Sequence, residues 1–243
     1  MADQRAVTRH WDDTYRDGGR PWGESPSELA AVAVERLKAG AGAGLSIIDI
    51  GCGYGRDSRY LSRELRAAVL GVDPSPEGVA AARASALRGA EAGAGVAAAG
   101  SAESKPAVEY RCAGFEEIAR EVRQGSRAAF DVVFASNLYQ LLGPSQRAGF
   151  RRALGALLSP AGLLFLSTLS TNDPQHYGEG EPVPGERDSF TRPVYLHFCR
   201  EEELREDFSF LSVEELRERE YDEPHADGSA HHHVSWILVG RRA

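Results

Sequence analysis

Ile47-Ile48-Asp49-Ile50-Gly51-Cys52-Gly53-Tyr54-Gly55-Arg56-Asp57 passes from an apolar, β-branched run straight into three alternating glycines, and then into an amphipathic stretch carrying Tyr60, Leu61 and Leu65. The pattern predicts a buried parallel strand, a tight turn and the start of a helix. Without Cβ atoms at Gly51, Gly53 and Gly55, a ligand can lie on the backbone itself, and the first N–H groups of the helix face any negative group it carries. A second apolar run, Val69-Leu70-Gly71-Val72-Asp73, predicts the neighbouring parallel strand with a carboxylate at its tip. From there Asp73 can accept hydrogen bonds from both hydroxyls of a ribose.

Glycine spacing separates the nucleoside ligands. A dinucleotide fingerprint, G-x-G-x-x-G/A, needs a small residue where this chain has Arg56. The order Asp49-x-Gly51-x-Gly53-x-Gly55 instead resembles motif I of the class I S-adenosylmethionine (SAM) methyltransferases, and Val72-Asp73 resembles their ribose-binding acidic position. A ligand with an amino-acid carboxylate and no phosphates suits such a turn. Cys52 reads as a small buried packing residue rather than a nucleophile.

The 243 residues fit one α/β domain, residues 1–243, and a net charge of −8 argues against nucleic-acid binding. The alternation Arg200-Glu201-Glu202-Glu203-Leu204-Arg205-Glu206 reads as a solvated helix surface. Three scattered cysteines offer neither a disulfide framework nor a C-x-x-C pair, and no stretch reads as a signal peptide or membrane span. The expectation is a cytoplasmic protein, monomer or homodimer, acting on a small molecule and not on nucleic acid or membrane.

A helix over Gln4–Tyr15, a turn-rich loop and a second helix from Glu28, N-capped by Ser27, form an N-terminal cap over residues 1–44. Strands are expected at Ser46–Ile50, Ala68–Val72, Val108–Cys112, Asp131–Ala135 and Gly162–Thr168. Helices fall between them at Asp57–Leu65, Pro76–Arg88, Glu116–Arg123 and Ser145–Leu158, and Gly89–Lys105 reads as an extended loop. Such alternation predicts an α/β, doubly wound, Rossmann-like fold: seven strands, mostly parallel, with helices on both faces. Two late strands, Phe208–Leu216 or part of it and Val234–Gly240, are joined by the turn-rich Tyr221–Ser229. They predict a hairpin whose last strand is antiparallel and whose tip lies at the ligand edge.

Beyond the glycine loop, His10-Trp11-Asp12-Asp13-Thr14-Tyr15, Pro21-Trp22-Gly23-Glu24-Ser25-Pro26-Ser27-Glu28-Leu29 and Gly53-Tyr54-Gly55-Arg56-Asp57-Ser58 resemble the tellurite-resistance and thiopurine-methyltransferase-like branch. The resemblance implies that Asp49 and the three glycines lie against the methionyl part of SAM and that Asp73 holds the ribose. It also places Asn137 near the methionine moiety and Phe115, beside Glu116, against adenine. The commoner pattern has an Asp at the adenine position, where Cys112-Ala113-Gly114-Phe115 stands here.

Residues 171–199, rich in Pro, Gly and aromatics, read as a lid over the acceptor or a disordered insertion, and their aromatic content favours the lid. Trp22, Tyr139, His176, Tyr177, His197 and His231 are the expected acceptor contacts, with Trp11 and Tyr15 either closing the pocket or packing the cap. A hydroxyl or carbon acceptor needs a positioned base, and His225 and His233 are the candidates; thiols, selenols and oxyanions need little help. On a strand His231 and His233 share a face opposite His232. With His197 or His225 they have the chemistry to hold a metal or orient an anion, and a polar strand end accounts for them as well. The assignment carried forward gives them to the acceptor, with no metal.

The sequence thus reads as a SAM-dependent methyltransferase acting on a sulfur, selenium or oxygen nucleophile. A nicotinamide-dependent oxidoreductase and a non-catalytic SAM-binding protein are the alternatives.

Overall fold

The structure is a computed structural model that describes residues 4–16, 19–39, 44–94, 108–224 and 230–243. Helix α1 (Gln4–Tyr15) precedes α2 (Glu28–Lys38), whose cap is built as expected: the Ser27 hydroxyl accepts a hydrogen bond from the Ala30 N–H, and Arg36 and Lys38 fall in the last turn. There follow β1 (Ser46–Ile50), α3 (Arg56–Leu65), β2 (Ala68–Asp73), α4 (Pro76–Ala94), β3 (Val108–Cys112), α5 (Phe115–Arg123), β4 (Phe130–Ala135), α6 (Pro144–Leu157) and β5 (Leu158–Leu169). Three short strands come next, β6 (Glu181–Pro182), β7 (Ser189–Thr191) and β8 (Tyr195–His197), then α7 (Glu201–Asp207) and the hairpin β9 (Leu211–Pro224) and β10 (Ala230–Arg242).

The main sheet has seven strands in the order β3-β2-β1-β4-β5-β10-β9. The pairs among β1 to β5 are parallel, β10 runs antiparallel to β5 and to β9, and β9 is therefore parallel to the rest. This is the class I methyltransferase fold. Alternation along each strand divides the apolar residues between two layers. Ile47, Val69, Val132, Phe134, Phe165 and Ile237 pack with α2 and α3, while Ile48, Leu70, Val133, Leu164 and Leu238 pack with α5, α6 and α7. The strand order reverses between β1 and β4, and that switch point opens a crevice at the carboxyl ends of the strands.

Three boundaries differ from the sequence reading. Helix α4 runs on to Ala94, into the stretch expected to be loop. The first late strand starts at Leu211, because Phe208 ends α7 as a fully buried side chain. It then continues to Pro224, where Tyr221, Asp222 and Glu223 pair with His233, His232 and His231, so most of the supposed turn is ladder. Residues 171–199 are ordered, with β6, β7 and β8 forming a small antiparallel sheet. The two ends of this segment are tied together where Thr171 N–H bonds to Cys199 C=O at 3.2 Å and Cys199 N–H to Leu169 C=O at 2.8 Å. Among the described residues no helix is long and apolar enough to cross a membrane. The three cysteines are unpaired.

Candidate active site

The crevice is a cleft of about 340 Å³, in the range of small-ligand sites. Its floor is the glycine turn and the tip of β2. Gly51 and Gly53 have φ of 77° and 50°, a left-handed backbone that favours glycine. A Cβ on Gly53 would stand 2.6 Å from the Tyr15 hydroxyl, and one on Gly51 would stand 3.2 Å from the Leu138 side chain. Asp73 stiffens this floor. Its Oδ2 accepts the Gly53 N–H at 2.9 Å and its Oδ1 the Ser75 N–H at 2.8 Å. Each oxygen keeps a second lone-pair direction for a ligand hydroxyl. Burial pushes the Asp73 carboxyl up to about 6 against the pull of those two backbone bonds. Burial, reinforced by Asp57, lifts Asp49 to about 7, although the Ser58 hydroxyl donates to it.

The roof comes from the N-terminal segment. Trp11 stacks on Tyr15 and meets Trp22, and Trp22 stacks on Tyr54, with centroid separations of 5.8, 5.5 and 6.3 Å. The loop before α2 is sewn to the glycine turn: Tyr54 Oη donates to Gly23 C=O at 2.8 Å, Arg56 to Trp22 C=O at 3.1 Å, and Ser27 N–H to Asp57 Oδ1 at 2.8 Å. Those bonds fix the Pro-Trp-Gly segment against the glycine turn.

The far wall is built from the segment after β5 and from β10. Asp173 is buried, and its Oδ1 accepts the N–H groups of Gln175 (3.0 Å) and His176 (2.8 Å) and faces His176 Nδ1 at 2.9 Å. Its Oδ2 accepts the Val234 N–H at 3.0 Å and lies 3.5 Å from His233 Nδ1. Burial alone would raise this carboxyl, but the bonds from His176, His233 and Val234 hold it well below the ordinary carboxylate range. The His176 ring stacks on His233 at 4.5 Å and lies 5.5 Å from His231.

Asp49, Gly51, Gly53, Asp73, Asn137, Trp22, His176, His231 and His233 thus meet around one cleft. Other expected residues lie elsewhere. Gly55 does not line it: its φ of 75° opens α3, and Tyr110 occupies the space a Cβ would take, 2.5 Å away. Phe115 turns into the core and packs edge-on against Phe150. Tyr139 is fully buried, its hydroxyl donating to Asp207. Tyr177 is outside the cleft and donates to Asp188 at 2.7 Å. His197 is held in the interior between Ser189 (2.9 Å) and Glu203 (2.8 Å). His225 lies outside the described residues. The reading from sequence missed Asp173, whose side chain bonding to N–H groups two and three residues on is a local turn that Asp-Pro-Gln-His was able to announce. Gln140 and Tyr221, which also line the cleft, carried no such signal.

Among the described residues, the Trp11 indole Nε1 and the Gln140 Oε1 are buried on the cleft with no hydrogen-bond partner. With the glycine floor and the Asp73 lone pairs they suit a ligand that carries both acceptors and donors, as SAM does.

Known proteins agree with this construction. Residues 22–219 match a family described as a methyltransferase domain. The chain is 36% identical over 129 residues to a ubiquinone biosynthesis O-methyltransferase of Bradyrhizobium diazoefficiens, a match covering 53% of this chain and 42% of that enzyme. The chain therefore matches less than half the length of that relative. Its fold is similar to a SAM-dependent methyltransferase from Anabaena variabilis, with a TM-score of 0.70 at 18% identity, covering 100% and 97% of the two chains. It is also similar to magnesium protoporphyrin IX methyltransferase from Synechocystis, solved with bound SAM, with a TM-score of 0.64 at 17% identity over 100% and 99% of the two chains. Fold and cleft define a class I SAM-dependent methyltransferase. The chain belongs to the methyltransferase-domain family.

Proposed function

We propose that this methyltransferase methylates an oxygen of a small acceptor held between the glycine floor and the histidine wall. The observation that carries the reading is the cluster of His176, His231 and His233, the first and last of them oriented by Asp173, set in the same cleft as Gly51, Gly53 and Asp73. A thiol or selenol ionises readily and needs no such wall, whereas a hydroxyl must lose its proton to become a nucleophile. The O-methyltransferase relatives support the same choice. In this reading the resemblance to the tellurite-resistance and thiopurine-type branch reflects the shared N-terminal cap, not a shared acceptor.

When bound, SAM supplies a methyl group on a sulfonium centre. Asp73 receives the ribose hydroxyls, Gly51 and Gly53 admit the methionyl end, and Asn137, held in a left-handed conformation with its N–H on Ser167 Oγ at 3.1 Å, borders that end. Trp11, Tyr15 and Trp22 exclude water on one side, and residues 171–199 act as the lid on the other. Alignment and dryness supply most of the rate of an in-line displacement, and the imidazole wall takes up the acceptor oxygen. The three unpaired cysteines suit the reducing cytoplasm.

Calorimetric titration with S-adenosylhomocysteine, with NAD as the control, tests the cofactor half, and micromolar binding without an NAD signal is expected. A methylation screen of small phenols, thiols and selenite tests the acceptor half. Turnover confined to thiols or selenite overturns the oxygen assignment, and binding without turnover of any acceptor favours a non-catalytic SAM-binding protein.

A further inference from the structure

His231 and His233 leave β10 on one face, and His176 reaches them from the turn that Asp173 organises. One ring nitrogen from each lies within 4.8 Å of the other two, and all three rings border the cleft. Asp173 occupies the Nδ1 side of His176 at 2.9 Å and approaches His233 Nδ1 at 3.5 Å. A carboxylate on Nδ1 fixes the neutral tautomer whose Nε2 lone pair points away from it, the usual support of an imidazole that ligates a metal. Asp173 is itself fixed by three backbone N–H groups, so the support is rigid.

We propose that His176, His231 and His233 bind one divalent transition-metal ion of the zinc type, whose open position faces the cleft and takes an oxygen of the acceptor. Three imidazoles and no carboxylate ligand suit zinc, cobalt or nickel and not magnesium or calcium. Nitrogens around a tetrahedral zinc stand about 3.4 Å apart, given Zn–N bonds of about 2.05 Å. The exposed His231 ring closes the remaining gap by rotating. Three protein ligands with the fourth position toward a cavity is the arrangement of a reactive rather than a structural ion. A cation there draws in a hydroxyl-bearing acceptor and eases loss of its proton to solvent. The second cluster of ligating side chains, His197, Cys199 and Glu203, makes a contrast. Both His197 nitrogens face protein partners, the Cys199 thiol meets Thr168, and none of the three borders the cleft.

The proposal deepens the acceptor half of the proposed function, and its test does not depend on the cofactor half. Titrating the metal-free, full-length protein with Co²⁺ should give visible d–d bands that saturate at one equivalent and are displaced by Zn²⁺. His231→Ala should weaken binding at least tenfold, with His231→Gln as a second variant in case the first perturbs the strand. His232→Ala, on the opposite face of β10 and paired with Asp222, should bind like the wild type. Adding catechol to the cobalt form should shift the bands. Absence of saturable bands, or equal affinity in the wild type and both His231 variants, overturns the site, and unshifted bands overturn its role toward the acceptor. S-adenosylhomocysteine binding without cobalt binding overturns the metal site alone, while the reverse overturns the cofactor reading alone.

Discussion

In the proposed function Asp73 answers to two demands, since the same two oxygens that fix the Gly53 and Ser75 backbone would also face the ribose diol. Asp73→Ala should weaken S-adenosylhomocysteine binding by about 1–3 kcal/mol, the value of hydrogen bonds to a charged group. Calorimetry decides this, and unchanged affinity would remove Asp73 from the ribose. Because burial raises its pKa to about 6, affinity for S-adenosylhomocysteine should fall as the pH is lowered from 8 to 5, with Asp73→Asn showing a flatter profile. Asp49 carries a different prediction. Its carboxyl titrates at about 7 in the folded protein, against an ordinary value near 3.8, so between those limits the folded form holds a proton that the unfolded chain has released. The contribution of this group to stability therefore falls as pH rises through that window. Asp49→Asn, which can still accept the Ser58 hydroxyl, should stabilise the ligand-free protein at pH 8 by on the order of 4 kcal/mol and change little below pH 4. Denaturant melts at the two pH values measure it, and an equal effect at both would refute the assignment of cause.

Among the elements, the segment between β5 and α7 is the one whose order depends on a few polar contacts. Asp188 accepts from Tyr177 Oη at 2.7 Å and from Arg200 Nε and Nη2 at 2.7 and 3.0 Å, and it sits at φ 56°. Asn adopts that left-handed backbone at less cost than Ala and keeps a side chain that can bond, so Asp188→Asn should loosen the segment modestly and Asp188→Ala more, read as faster limited proteolysis within residues 171–199. Elements with strong local signals were legible in the sequence. β1, the glycine turn and β2 announced themselves by apolar runs and glycine spacing, and Ser27 announced α2. The end of β9 did not, because Tyr221-Asp222-Glu223-Pro224 has turn composition and is held extended by pairing with a strand that begins at Ala230. The same limit governs the site. Phe115 and Gly55 stand where motif spacing predicts ligand contact, but Phe150 and Tyr110, remote in sequence, draw them into packing. His176 and His233 meet through Asp173, whose turn to His176 is local but whose bonds to Val234 and His233, about 60 residues on, come only from the fold.

The whole molecule brings its N-terminal segment and the start of β10 to the carboxyl edge of its sheet, one as roof and the other as wall, while β10 runs on to Arg242 at the opposite edge. Both apolar layers are built without α1, which instead lies over the cleft: Tyr15 covers Gly53, Trp11 meets Trp22, and the Ser75 hydroxyl donates to Asp12. Removing residues 1–16 should therefore separate folding from ligand binding. The truncated protein is expected to keep its far-ultraviolet spectrum and a single cooperative melt, because the sheet and its two helical layers remain. Its affinity for S-adenosylhomocysteine should fall at least tenfold, since the floor of the cleft loses its cover and the unpartnered Trp11 Nε1 goes with it. The loss has a second reading in stability. At a ligand concentration 100 times the wild-type dissociation constant, the wild type gains about 2.7 kcal/mol from mass action, and a tenfold weaker site gains about 1.4 kcal/mol at that same concentration. Equal ligand-induced stabilisation of the two proteins would show that α1 is an appendage. Loss of the cooperative melt would show that it belongs to the folding core, against the packing described above.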